Sequence, residues 1–170
     1  MAYAPPKVAK QCTAIKTCND VFKVGMPSLA KIKKRFGESF SEKYVSAWII
    51  NLIDFYQVGK KMGDSQVYET ATLIMQEYYM LTLADINLVF TRAKKGFYGE
   101  LYDRLDGAVI LSWFRKYFDE RCSEAESLSQ REHERHVNPN GAPRSSENDR
   151  KAQAKAFKRY KLELIKNAAK

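Results

Sequence analysis

TLADINLVFTRAKKG, residues 82–96, decides the fold class. Thr82 and Asp85 stand three apart, the spacing at which each side chain satisfies a backbone N–H left open at the start of a helix. Leu83, Ile86, Val89, Phe90 and Ala93 then recur at a 3.6-residue period. Lys94 and Lys95 suit the negative end of a helix dipole, and Gly96 stands where a helix closes in a left-handed residue. The stretch reads as a capped, amphipathic and properly terminated helix.

The same grammar extends in both directions. Upstream, PSLAKIKKRFG places Leu29, Ile32 and Phe36 on one helical face and stops at Gly37. In the next segment, SFSEKYVSAWIINLIDFYQVG, Ser39 and Glu42 have capping-box spacing, and Tyr44, Trp48, Ile49, Leu52, Ile53 and Tyr56 form a broad apolar face. Asp64 is the expected N-cap of SQVYETATLIMQEYY. Downstream, Phe97 is expected to pack over the end of the 83–95 helix, and Asp106 to cap a long helix from about Gly107 to His136. Leu111, Phe114, Phe118, Cys122 and Ala125 make its expected buried stripe, which fades after Leu128. VNPNGAPRSSEN has linker composition, and beyond it Ser146 and Asp149 can cap a last, basic helix. The expectation is an all-α protein: a basic segment 1–27, a compact helical bundle 28–136 with its longest helix last, a linker 137–148, and a tethered basic helix 149–170.

The net charge of +9 is unevenly spread. Residues 1–35 hold eight Lys/Arg against one Asp, and residues 150–170 hold eight against one Glu. The stretch between them is acidic, with thirteen basic and eighteen acidic residues. Cationic extremities on an acidic body point to contact with polyanions at the ends and with something else in the middle. No apolar run approaches the roughly 20 residues of a membrane span. The opening MAYAPPKVAKQC lacks the apolar core of a secretory signal. Cys12, Cys18 and Cys122, with no CxxC, suit a reducing compartment, so a cytoplasmic location (the host cytoplasm, if phage-encoded) is expected.

Catalytic patterns are weak. His133 and His136 share a helix face in REHERH, but HERH is not HExxH and no cysteine lies beside it. Asp103 and Asp106 could hold magnesium, except that Asp106 already serves as a cap. There is no phosphate loop, dinucleotide fingerprint or nucleophile elbow. A protein that is not an enzyme, without metal or cofactor, is expected.

Binding patterns are stronger. Lys151, Lys155, Lys158, Arg159 and Lys166 share one sector of the last helix, where they could lie along phosphates. The KIKKR cluster adds Lys31, Lys33, Lys34 and Arg35. At the corner RAKKGFYGELYDRLDG, residues 92–107, Tyr98 and Tyr102 stand beside Arg92, Lys94 and Lys95. Such rings and cations could stack a base, dock a protein or simply pack.

LTLADI, RAKKGFYG, LYDRLDG and ILSWF, between residues 78 and 121, resemble a family of small uncharacterised helical proteins from phages and mobile elements. The helix–aromatic corner–helix outline, with Ile110, Leu111 and Trp113 as IL-x-W, is similar to the C-terminal domain of DnaD-like replication initiation proteins. Position 106 is Asp106 where that family carries tyrosine, and Tyr102 lies four residues further back. The resemblances imply a phage or mobile-element setting, single-stranded DNA binding and a replicative helicase as protein partner. The expected function is that of a DNA-replication accessory protein. The alternative is a phage-encoded interaction protein that inhibits a host defence or polymerase component, its basic helix docking on an acidic protein surface.

Overall fold

The computed structural model describes residues 5–56, 59, 61–101, 104–137, 151 and 154–157. The chain divides into two compact units, Met1–Ala125 and Glu126–Lys170. The described residues between 5 and 137 form α1 Pro5–Gln11, α2 Cys18–Phe22, α3 Leu29–Phe36, α4 Glu38–Phe55, α5 Asp64–Glu77, α6 Leu83–Lys94 and α7 Gly107–Val137. No strand occurs among those residues, and the protein is all-α as the periodicity requires.

α6 is the centre of the first unit. Its residues from Leu83 to Phe90 are all buried, Asp85 and Asn87 included. Trp48 of α4 stacks on Phe90 at 6.1 Å between ring centroids, and Phe114 of α7 meets the same ring edge-on at 5.7 Å. Burial of rings this large dominates the hydrophobic gain, on the order of 1.5–3 kcal/mol for each fully buried side chain.

The caps of α3 and α6 lie side by side. Ser28 and Thr82 form an isolated antiparallel bridge, flanked by hydrogen bonds from Leu29 N–H to Leu81 O (2.9 Å) and from Leu83 N–H to Pro27 O (3.1 Å). Each cap accepts a backbone N–H three residues on, from Lys31 and Asp85 respectively. Two helix starts are thereby fixed against each other, and their entry points into the bundle with them.

Four expectations change. The bundle begins at Pro5 rather than at residue 28: Val8, Cys12, Ile15, Cys18 and Val21 are all buried in the core. Their spacing of three and four residues is an apolar stripe interrupted only by the break between α1 and α2. Ser39 and Glu42 do not cap α4. Gly37, at φ 87°, closes α3 and opens α4 with no loop between, so Ser39 already lies inside the first turn. Glu42 turns instead toward α5, accepting from the Tyr68 hydroxyl at 2.7 Å and the Thr72 hydroxyl at 3.2 Å. Asp64 is the first residue of α5, and Gly63 precedes it as the cap, with Gln66 accepting its N–H at 3.3 Å. On α7 the fully buried residues are Ile110, Trp113, Phe114 and Tyr117, whereas Leu111, Phe118, Cys122 and Ala125 are only half-buried. The true stripe is rotated because α7 faces both α6 and the aromatic corner.

Asp106 caps α7 as its spacing indicates, accepting Val109 N–H at 2.9 Å. Gly107 follows for a packing reason: a Cβ there would run into the hydroxyl of Thr70 on α5. In the second unit, residues 129–137 of α7 are exposed on every side, His133 and His136 among them. The linker expected over 137–148 lies outside the described residues beyond Val137. Of the last helix, Lys151 and residues 154–157 are described; they are helical and exposed.

Candidate nucleic-acid interface

α3 displays the first set of cations. Leu29 and Ile32 face the core, so the helical period turns Lys31, Lys34 and Arg35 outward, and all three are exposed. Lys33 is exposed too, but its ammonium is paired with the carboxylate of Glu38 across the α3–α4 junction. Lys7, Lys10, Lys16 and Lys23 are exposed as well. The one acidic residue in this stretch is already engaged. Asp20 accepts the backbone N–H groups of Lys16 and Thr17 and the Thr17 hydroxyl, at 2.9–3.1 Å. Those bonds hold its carboxyl below the usual carboxylate range.

Of the second set, Lys151 and Lys155 are exposed, whereas Lys158, Arg159 and Lys166 lie outside the described residues.

The corner after α6 is built in layers. Gly96 (φ 74°) and Gly99 (φ 105°) take the left-handed conformations that turn the chain. Tyr98 lies inside, stacked on Trp113 at 5.9 Å and 15° between planes. Its hydroxyl is buried with no hydrogen-bond partner among the described residues, and burial pushes its pKa up to about 12. Phe97 is the outer ring, 63% exposed, where packing over the helix end was expected. The Arg92 guanidinium sits over it at 4.8 Å. Arg92 is also held by both oxygens of Glu120, at 2.6 and 3.0 Å. Lys94 donates to Asn51 Oδ1 at 3.0 Å and lies over the ring of Phe55, itself 53% exposed. Lys95 is exposed, and Tyr102 lies outside the described residues. The corner therefore brings Arg92 and Tyr98 together, both engaged inward, whereas Lys94 is turned to Asn51 and Phe55 of α4.

A polar seam runs beneath this corner, built from residues far apart in the chain. Asp85, fully buried, accepts Thr82 N–H and Oγ1 at 2.7 Å each, the Tyr117 hydroxyl at 2.5 Å and Arg121 Nε at 2.9 Å. The same residue thus completes a capping box and neutralises a cation from α7. Arg121 lies over the exposed ring of Phe22 at 5.0 Å. Cys18 Sγ approaches Glu120 at 3.4 Å, and Asn19 donates to Glu124 at 3.0 Å. Burial, with Glu120 beside it, pushes the Cys18 thiol up to about 11, so it stays protonated and a poor nucleophile at neutral pH. The seam fastens α2 to α7. Its partners lie about thirty or a hundred residues apart, beyond the reach of periodicity.

Among the described residues, no group of three His, Cys, Asp or Glu is placed to hold a metal ion. No helix among them is long and apolar enough to cross a membrane.

The chain belongs to a family of unknown function, DUF6633, whose sequence model matches residues 61–163. That span takes in the aromatic corner, the polar residues of α6 and α7, and four of the five cations singled out on the last helix; the KIKKR cluster precedes it. No curated protein and no solved structure matches the chain.

Proposed function

We propose that the protein is a non-enzymatic accessory protein of DNA replication in a phage or mobile element. It holds DNA through cationic segments and a replisome protein, such as a replicative helicase, through its helical body. The observation that carries this reading is the outward display of Lys31, Lys34 and Arg35 on a helix whose other face is fixed in the core. Cations on a rigid face add affinity for phosphates by releasing counterions, and a second cationic segment raises the effective concentration of the first contact. The exposed rings Phe55 and Phe97, each with a cation above it, offer the body a surface for a protein partner.

The test is fluorescence anisotropy of a labelled oligothymidylate with the full chain, repeated with Lys151, Lys155, Lys158, Arg159 and Lys166 all changed to Gln. Binding that is salt-dependent and weakens at least tenfold in the variant supports the reading. No binding by the folded wild-type chain at low salt favours the alternative, an interaction protein that inhibits a host component and whose basic helix meets an acidic protein surface.

A further inference from the structure

Phe36 lies on the inward stripe of α3, four residues beyond Ile32 and seven beyond Leu29. Those two are 5% and 0% exposed, yet Phe36 is 49% exposed. The helix runs one turn past the core and carries the ring out with it. Three rings lead outward in sequence: Tyr44 is buried, Phe40 lies nearly parallel to it at 6.4 Å and 13°, and Phe36 follows at 4.9 Å. The Arg35 guanidinium sits over the Phe36 ring at 5.3 Å, and Lys31 and Lys34 stand exposed on the same two turns.

The geometry points to Phe36 as a base-stacking platform for single-stranded nucleic acid, with Arg35, Lys31 and Lys34 on the flanking phosphates. This rests on the DNA-binding reading above and adds to it the residue that recognises an unpaired base. An unpaired base supplies the flat apolar face that a half-exposed ring at the end of a ring ladder lacks. The backbone of that nucleotide supplies anions for three neighbouring exposed cations. A duplex presents its phosphates but keeps its bases stacked inside, so it can use the cations and not the ring. The apolar area here is one ring and the edge of another, which suits a base better than a protein interface of ordinary size.

The experiment uses the full chain with Phe36→Ala, Phe36→Leu and Phe36→Trp. Circular dichroism establishes that each is folded, and anisotropy compares labelled oligothymidylate with a labelled duplex. Expected is a loss of about tenfold or more in single-strand affinity for the Ala and Leu variants, the range of one stacked base, with duplex affinity unchanged. The Trp variant keeps its affinity, and the emission of the added indole is quenched by the oligonucleotide, whereas Trp48 and Trp113, each 4% exposed, contribute little change in the parent. Full single-strand affinity in folded Phe36→Ala, or equal losses on both strand forms, overturns the platform and leaves DNA binding standing. Absence of binding by the parent chain removes both.

Discussion

Asp85 ties the start of α6 to α7. A fully buried carboxylate is tolerated only when every lone pair has a donor, and here two hydroxyls, one N–H and one guanidinium supply them. Asp85→Asn removes the charge that Arg121 faces and replaces an acceptor with a donor. Chemical denaturation should show a loss of about 3–5 kcal/mol, the range for breaking a buried ion pair from one side. Tyr117→Phe, which removes one donor and no charge, should cost about 1–2 kcal/mol. The Arg92–Glu120 pair is more exposed, so Glu120→Gln should cost about 2 kcal/mol at most. Hydrogen bonding to Arg92 holds the Glu120 carboxyl below its ordinary range, so its contribution is complete at neutral pH and disappears as pH falls through that depressed value. The difference in melting temperature between wild type and Glu120→Gln should therefore be largest near neutrality and shrink as pH falls below the ordinary glutamate range.

At the scale of elements, helix ends explain what could be read directly. Thr82 and Asp106 cap α6 and α7, and Gly37 and Gly96 end helices in positive φ, because these are local rules that neighbouring residues satisfy. Legibility failed where tertiary contact overrode the local pattern. Glu42 had a capping partner by spacing but a better one in Tyr68, and the stripe of α7 turned to meet two neighbours instead of one. The first two helices were hidden by their lysines, although Val8, Cys12, Ile15, Cys18 and Val21 carried the period. Gly107 gives a test at this scale. Alanine favours a helix over glycine in general, yet here its methyl meets Thr70, whose hydroxyl is already bonded to Gln66 O at 2.7 Å. Gly107→Ala should destabilise the protein by about 1–3 kcal/mol in a denaturant titration, and Gly107→Ala with Thr70→Ala, which removes the hydroxyl the new methyl meets, should recover part of that loss.

For the whole molecule, the uneven charge distribution was legible at once, since composition needs no fold to be counted. What the fold adds is which cations of KIKKR face outward with no acidic partner among the described residues and which one is paired. Lys33 is engaged by Glu38, whereas Lys31, Lys34 and Arg35 face solvent on a rigid helix. The aromatic corner, by contrast, left base stacking, protein docking and packing open in sequence, and its central cation and inner ring face the interior. The central claim is that the cations of α3 meet nucleic-acid phosphates. The most direct measurement is the dependence of oligothymidylate affinity on salt, for the wild-type chain and for Lys31→Gln/Lys34→Gln/Arg35→Gln. Each phosphate contact contributes about 0.7 to the slope of log K against log salt on a single strand, so the triple variant should show a slope shallower by about 2. An unchanged slope in a folded triple variant would contradict the claim.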